Sequence, residues 1–373
     1  MTNALNWFEL SEACTTDSPA LLVFPERVMH NIQTALQMVN GNTDRLQPHI
    51  KTCKSAEPIK LMMAAGIYKF KCATIAEAEL LANCGVKEVL MAYQAIGPKL
   101  KRLIELINKF PATSFSFLSD NLRSAKEQAE ICTASGITGS VYADINVGMN
   151  RTGIATGDEA LKLYRFCNES SGLKIKGLHV YDGHIRNPDF ELKKQEAEMA
   201  FQEVELLIEK IKEQELPEPE IICGGSPSFS VHAKRENVVC SPGTFIYWDQ
   251  GYKTICPEQN FLPAIVIFTR IISKPVDGLI SLDAGHKAMA AENEIGKRLF
   301  FLNAENLKPV SQSEEHLVLQ QEEEIEYEVG DCLYALPYHV CPTVNLYDRV
   351  LTVENNKVTG DWKNSARDRL ITF

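Results

Sequence analysis

The feature that most constrains the fold is an alternation of short apolar runs with segments of helical periodicity over the first two thirds of the chain. Repeated βα units indicate a parallel sheet, and about eight of them over roughly 250 residues predict a closed (β/α)₈ barrel, placed here at residues 18–252. Three intervening segments have apolar residues at helical spacing: Ile59–Ala65, Ala76–Cys84 and Leu192–Glu215. Eight runs have the composition of strands: Leu21–Phe24, His49–Lys51, Phe70–Thr74, Val89–Tyr93, Ser114–Leu118, Val141–Val147, Ile175–Tyr181 and Glu220–Cys223.

The pattern changes after about Tyr252, where short alternating runs are separated by turn residues and helical periodicity is weak. These runs are Ala264–Ile272, Gly278–Asp283, Glu315–Gln320 and Asp331–Leu336. We therefore predict a second domain, a smaller antiparallel β domain over residues 253–373, against which residues 1–17 can pack.

Composition excludes several classes of function. The 373 residues are 45% hydrophobic, which is ample for a buried core, and the formal charge of −11 argues against a nucleic-acid partner. No apolar run approaches the roughly 20 residues that cross a bilayer, and the start of the chain has no basic stretch leading into an apolar one. The 11 cysteines are an odd number without paired spacing, which predicts reduced thiols. Together with the lack of a membrane-crossing run, this predicts a cytoplasmic protein with no membrane contact.

Chemically active residues follow several predicted strands, at the edge where barrel enzymes bind their substrates. Each has an ordinary structural reading when taken alone: a surface lysine, a tight turn or a helix-start ion pair. The segments are Pro48–Lys54, which contains His49 and Lys51, then Asn146–Arg151, Tyr181–His184, Gly224–Pro227 and Ser241–Thr244.

Taken together, these strand ends match what pyridoxal phosphate requires. A buried phosphate needs backbone N–H groups from glycine-rich turns, and a desolvated lysine can act as an amine rather than as a charge. We expect Lys51 to hold the aldehyde carbon of this cofactor. The phosphate is expected to lie against two turns that contain Gly225, Ser226, Gly243 and Thr244.

The chain resembles the fold-type III pyridoxal-phosphate enzymes related to alanine racemase, and among them the D-serine dehydratase and D-threonine aldolase group. The segment around His49 and Lys51 resembles that group's cofactor-lysine motif, and Val147–Gly153 resembles the strand end that places an arginine, here Arg151, at the cofactor ring. The segment that begins at Tyr181 resembles another cofactor-facing strand end. Ser241 carries no charge where alanine racemase has an arginine against the pyridine nitrogen, which predicts a weaker electron sink.

A second motif, Pro337–Thr343, places His339 and Cys341 two residues apart and therefore on one side of an extended segment. Such a pair is more often structural, but it resembles the metal motif of D-serine dehydratases. D-threonine aldolases commonly have an aspartate at the cysteine position and a harder metal, so the thiol favours zinc.

The resemblance implies a pyridoxal-phosphate- and zinc-dependent lyase for a small β-hydroxy D-amino acid. Elimination from a substrate such as D-serine or D-threonine, giving a 2-oxo acid and ammonia, is the leading prediction. D-threonine-aldolase-type cleavage to glycine and an aldehyde comes second, an amino-acid racemase third, and a pyridoxal-phosphate carrier without its own reaction is the non-enzyme alternative. Related enzymes are homodimers, so a homodimer is also predicted.

Overall fold

The computed structural model describes residues 5–321 and 326–372, which form one parallel and one mainly antiparallel sheet. The strands in these ranges are β1 (Ala20–Val23), β2 (Lys69–Cys72), β3 (Glu88–Gln94), β4 (Ser114–Ser119), β5 (Gly139–Asn146), β6 (Ile154–Ala155), β7 (Leu173–Val180), β8 (Glu220–Cys223), β9 (Val239–Cys240), β10 (Ile265–Val276), β11 (Leu279–Leu282), β12 (Leu299–Phe301), β13 (Leu307–Gln312), β14 (Leu317–Gln321), β15 (Cys332–Pro337), β16 (Arg349–Glu354) and β17 (Lys357–Lys363). The helices are α1 (Pro25–Met38), α2 (Ala56–Ala64), α3 (Ile75–Asn83), α4 (Pro98–Lys109), α5 (Leu122–Ala134), α6 (Asp158–Glu169), α7 (Phe190–Glu213), α8 (Phe229–His232), α9 (Gln250–Ile255) and α10 (Val340–Val344).

The parallel sheet has the order β2, β3, β4, β5, β7, β8 and β9, with the short β6 beside β5. Segment 46–50 joins its two edges. Leu46 forms a parallel bridge to Cys240 of β9, and His49 forms one to Lys71 of β2. The sheet is therefore curled into an α/β barrel, and the predicted combination of such a barrel with a β domain is confirmed.

The helices between these strands form because their apolar residues fall on one face. In α4, Leu100, Leu103 and Leu106 recur every three residues and are buried against the barrel, while the lysines of the helix remain outside. Pro98 fits the first turn of this helix because the missing N–H would have no partner there. Within residues 5–321 and 326–372, no helix has both the length and the apolar composition needed to cross a membrane.

The prediction that Leu21–Phe24 is a barrel strand is wrong. This run is β1, which pairs antiparallel with β10 and parallel with β16 in the other sheet. Leu21, Leu22 and Val23 are all buried, and burial on both faces gives the same continuous apolar run in either kind of sheet. Sequence reasoning missed two strands of the parallel sheet, β6 and β9, because two residues are too few to show a period.

The antiparallel sheet has the order β13, β14, β11, β10, β1, β16 and β17, with β15 paired to β10 and β12. Four predicted strands of this region correspond to β10, β11, β14 and β15. Near the start of the chain, Phe8 and Leu10 pack against Phe268 and Tyr334 of this sheet, and the Leu10 N–H donates to the Tyr334 hydroxyl at 3.0 Å. The division of the chain at residue 252 stays a prediction.

Candidate active site

One cavity lies at the carboxyl end of the barrel strands, where parallel barrels place their sites. All eight residues that the sequence assigned to the cofactor line it. They are His49, Lys51, Arg151, Tyr181, Gly225, Ser226, Gly243 and Thr244. Residues separated by up to two hundred positions in the chain therefore meet at a single site, as expected for strand ends of one barrel.

The segment that carries Lys51 is held in place before and after the lysine. The Lys51 N–H donates to Nδ1 of His49 at 3.1 Å, so this imidazole accepts at Nδ1. Burial, and then the charge of Lys51, hold the pKa of His49 well below its usual value, which leaves the ring neutral. Three residues further on, Lys54 adopts a left-handed backbone with φ of 54° and pairs with the buried Glu77 at 2.5 Å. This ion pair fixes the turn that follows Lys51.

Three cationic side chains surround the ring of Tyr181. The Arg151 guanidinium lies 4.9 Å from the ring centroid, and the amines of Lys51 and Lys71 lie at 6.0 Å and 5.7 Å. The ring also packs against a glycine, because a Cβ at Gly225 would lie 2.8 Å from a ring carbon of Tyr181. The cavity thus combines a positive lining with one aromatic face, which suits an anionic aromatic ligand.

The two glycine-rich turns are held together by Ser226. Its hydroxyl accepts hydrogen bonds from the N–H groups of Gly243 at 3.2 Å and Thr244 at 3.0 Å. A Cβ on Gly243 would lie 2.9 Å from the carbonyl oxygen of His49, so only glycine lets this turn approach the lysine segment so closely. Close backbone approach and convergent N–H groups are what a buried phosphate requires, and the residues present fit pyridoxal phosphate.

Replacing Gly243 by alanine is expected to weaken cofactor binding, because the new methyl group pushes the turn away from the segment that carries Lys51. The strain should cost about 1–3 kcal/mol, and a dissociation constant for pyridoxal phosphate measured by fluorescence quenching should rise by roughly tenfold or more. Gly296→Ala is the matched control, since a Cβ there meets no atom within 4 Å. Equal cofactor affinity in both variants would contradict this reading of the turn.

Sequence reasoning missed a buried group of polar residues in which Lys71 and His179 line the cavity and Asp144 contacts His179. Lys71 Nζ lies 2.9 Å from His179 Nε2 and 2.8 Å from Ser241 Oγ, and His179 Nδ1 lies 2.7 Å from Asp144 Oδ1. All three are buried within barrel strands. A charged or basic residue inside a central parallel strand is rare unless it has a partner, and that signal was available in the sequence.

The β domain brings its own reactive pair to the barrel mouth. Cys341 Sγ lies 3.1 Å from Thr52 Oγ1 and 3.6 Å from Thr244 Oγ1. Asp249, from the barrel side, accepts the N–H of Val340 at 2.9 Å and so fixes the start of α10. His339 and Cys341 therefore lie beside the turns that line the cofactor cavity.

The protonation of this pair favours a thiolate. Burial alone would raise the pKa of Cys341, but the hydrogen bond from His339, and then the charge of Lys51, lower it below the usual thiol value. Burial lowers the pKa of His339, whereas its bonds to Cys341 and Glu292 outweigh that effect and raise the pKa to about 9. Nδ1 of His339 contacts the Glu292 carboxylate, an arrangement that orients metal-binding imidazoles.

A neutral imidazole and a thiolate fit a zinc ion by donor chemistry, and binding of the ion would release the proton that His339 holds. In the described ranges, no group of three or more histidine, cysteine, aspartate or glutamate side chains is arranged to hold a metal.

An α/β barrel with a lysine and two glycine-rich turns at its mouth, joined to a β domain, defines the fold-type III class of pyridoxal-phosphate enzymes. Residues 24–250 match the family model for the alanine racemase N-terminal domain, and residues 264–353 match the putative serine dehydratase domain. The chain belongs to the alanine racemase N-terminal domain family, and the predicted membership of fold-type III is confirmed.

Several known proteins align with this chain over nearly its whole length. A 3-hydroxy-D-aspartate aldolase of Paracoccus denitrificans (strain Pd 1222) is 24% identical over 364 residues, which cover 94% of this chain and 92% of that protein. The crystal structure of D-threonine aldolase from Filomicrobium marinum matches with a TM-score of 0.86 and 26% identity, covering 97% of this chain and 98% of that chain. A cysteine-to-alanine variant of D-threo-3-hydroxyaspartate dehydratase in its metal-free form matches in fold, with a TM-score of 0.82, 21% identity and coverage of 94% and 98%.

Proposed function

We propose that this chain is a pyridoxal-phosphate- and zinc-dependent lyase that converts a small β-hydroxy D-amino acid into a 2-oxo acid and ammonia. The observation that carries the proposal is the contact of Cys341 with Thr52 and Thr244. It places an imidazole–thiolate pair from the β domain at the mouth of the cavity that contains Lys51. A lysine base and a metal pair at one site serve a substrate that loses an α-proton and a β-hydroxyl group.

Lys51 has two roles in this proposal: its amine holds the cofactor between reaction cycles, and once released it takes the α-proton of the substrate. Bound pyridoxal phosphate supplies a conjugated ring that accepts electrons from the α-carbon. The imidazole of His49 accepts a hydrogen bond from the Lys51 N–H and so keeps the lysine segment in place.

The remaining cavity residues bind and orient. Arg151 lies over the ring of Tyr181 at 4.9 Å and supplies positive charge beside the cofactor ring. The two turns that contain Gly225, Ser226, Gly243 and Thr244 are held together by the Ser226 hydroxyl and would bind the phosphate. Together these groups leave the cofactor ring one fixed position relative to Lys51.

His339 and Cys341 would hold zinc, with Glu292 orienting the imidazole. The ion would act as a Lewis acid on the β-hydroxyl oxygen. The metal-free form of the dehydratase relative carries alanine in place of a cysteine, which supports a thiolate as a metal ligand in such proteins. The choice of zinc for this chain rests on the softness of that ligand.

Aldolase cleavage is the second candidate, because two of the similar proteins are aldolases that act on D-threonine or 3-hydroxy-D-aspartate. It uses the same lysine and metal pair but breaks the Cα–Cβ bond and yields glycine and an aldehyde. A racemase ranks third, since it needs no metal pair. A cofactor carrier ranks last, because such proteins lack a β domain at the barrel mouth. The homodimer and the cytoplasmic location stay predictions.

Product analysis separates the two lyase reactions. Purified protein with pyridoxal phosphate and zinc should convert D-serine into pyruvate and ammonia, and D-threonine into 2-oxobutanoate and ammonia. Formation of glycine and acetaldehyde from D-threonine would show that the protein catalyses the aldolase reaction instead of elimination. The L-enantiomers serve as controls for stereochemistry, and turnover of neither D-substrate nor D-3-hydroxyaspartate would overturn the lyase proposal.

A further inference from the structure

Lys71 is a second lysine of the cofactor cavity, and its surroundings differ from those of the other buried lysines. Among the described residues, the buried lysines are Lys69, Lys71 and Lys193. Lys69 pairs with Glu220 at 3.2 Å and Lys193 pairs with Glu258 at 2.9 Å. Lys71 instead contacts two neutral groups, the hydroxyl of Ser241 and the imidazole of His179. A buried amine without a carboxylate partner is costly, and such groups are retained mainly where they function.

The hydrogen-bond directions around Lys71 follow from its neighbours. Nδ1 of His179 contacts the Asp144 carboxylate at 2.7 Å and therefore carries the proton, so Nε2 accepts from the amine of Lys71. Ser241 donates its hydroxyl proton to the carbonyl of Gly224 at 2.9 Å and also accepts from Lys71. Two of the three hydrogen-bonding positions on the lysine nitrogen are thereby used.

The third position on the Lys71 nitrogen has no partner within residues 5–321 and 326–372, and Lys71 lines the cavity. This position is an N–H donor when the amine is charged and a lone-pair acceptor when it is neutral. A pyridine nitrogen has the complementary property, since it accepts when unprotonated and donates when protonated. Lys71 can therefore match the cofactor ring in either state.

The titration of Lys71 lies where both states are populated. Burial, and then the charge of Lys51, lower the pKa of Lys71 to about 7. The titratable groups that face it come from the lysine segment and from three further strands or strand ends: His49, Lys51, Asp144, His179, Asp182 and Cys223. Its charge thus changes across neutral pH, unlike that of an arginine, which remains positive.

Elimination among the polar groups of the cavity indicates which atom Lys71 serves. With the aldehyde carbon at Lys51 and the phosphate at the glycine-rich turns, the phenolic oxygen and the ring nitrogen remain for the other polar groups that line the cavity. The permanently charged Arg151 suits the phenolic oxygen, which leaves the ring nitrogen for Lys71. We propose that Lys71, hydrogen-bonded to Ser241 and His179, binds the ring nitrogen of pyridoxal phosphate and exchanges a proton with it. Its protonation state then sets how strongly the ring draws electrons from the substrate, a consequence that rests on the proposed function.

The test uses the protein loaded with ¹⁵N-labelled pyridoxal phosphate and follows the chemical shift of the ring nitrogen across neutral pH. In the wild type, this shift should change in a step as the pair formed by the ring nitrogen and Lys71 loses a proton to solvent. Lys71→Met should abolish the step and weaken cofactor binding by roughly tenfold to a hundredfold, since it removes a hydrogen bond to a charged group. Lys71→Arg should keep the affinity but lose the step, because its charge is permanent.

A purely structural role would change stability or affinity and leave the step intact. The exposed Lys60 provides the matched control, and Lys60→Met should behave as the wild type. A step that persists in Lys71→Arg overturns the proposal, even where Lys71→Met fails to fold. No substrate is present, so absence of lyase turnover would remove the proposed function without touching this result, whereas failure of the wild type to bind the cofactor would remove both.

Discussion

Lys51→Ala is expected to abolish the visible absorbance band of the bound cofactor and to lower turnover of the β-hydroxy D-amino acid by on the order of 10³-fold or more. The same amine holds the cofactor and moves the α-proton, so both roles are lost together. Borohydride reduction of the wild type should attach the cofactor irreversibly to the peptide that contains Lys51, as read by mass spectrometry.

The control for this variant is Lys60→Ala, which removes an exposed lysine from α2, close to Lys51 in sequence. It should retain the band, the reduced adduct at Lys51 and full turnover. A band that persists in Lys51→Ala, or an adduct found at Lys71 in the wild type, would show that Lys51 is not the lysine that holds the cofactor.

Removal of the metal is expected to have the second largest effect. A chelator, or Cys341→Ala, should lower turnover of the β-hydroxy substrate by about a hundredfold to a few thousandfold, because a Lewis acid contributes several kcal/mol to the departure of a hydroxyl group. The cofactor band should remain, since Cys341 lies beside the phosphate-binding turn and is not part of it. Metal content measured by mass spectrometry should fall in parallel with activity.

Cys14→Ala is the matched control for the thiol, because Cys14 is exposed near the start of the chain. It should keep both the metal and the activity, and added zinc should restore the chelated wild type while leaving Cys341→Ala inactive. Undiminished turnover after complete chelation would take zinc out of the reaction.

The parts of the site that the sequence predicted are those encoded by neighbouring residues. A glycine-rich turn, the His49–Lys51 pair and the His339–Cys341 pair each lie within a few residues, so their spacing already fixes which groups share one side of the chain. Strand ends of a parallel barrel share one edge, so the glycine-rich turns and the His49–Lys51 pair were expected to line one cavity, as they do.

The contacts of Lys71 could not be predicted from the spacing of neighbouring residues. They join residues 108 and 170 positions apart, and only the register of the strands decides which side chains meet inside the barrel. From the sequence, the uncharged Ser241 predicts that the cofactor ring is a weaker electron sink. The structure places the amine of Lys71 at 2.8 Å from that hydroxyl, so a basic group is present there after all.

The chain by itself determined the alternation of strands and helices, the change to a β domain, and the local motifs that we propose for cofactor and metal binding. Tertiary structure decided that β1 belongs to the antiparallel sheet, that the two-residue β9 belongs to the barrel, and that Lys71 lies with His179 and Ser241. The physical reason is that periodicity reports whether a residue is buried, whereas the partners of a buried group depend on which distant strands pair and in which register.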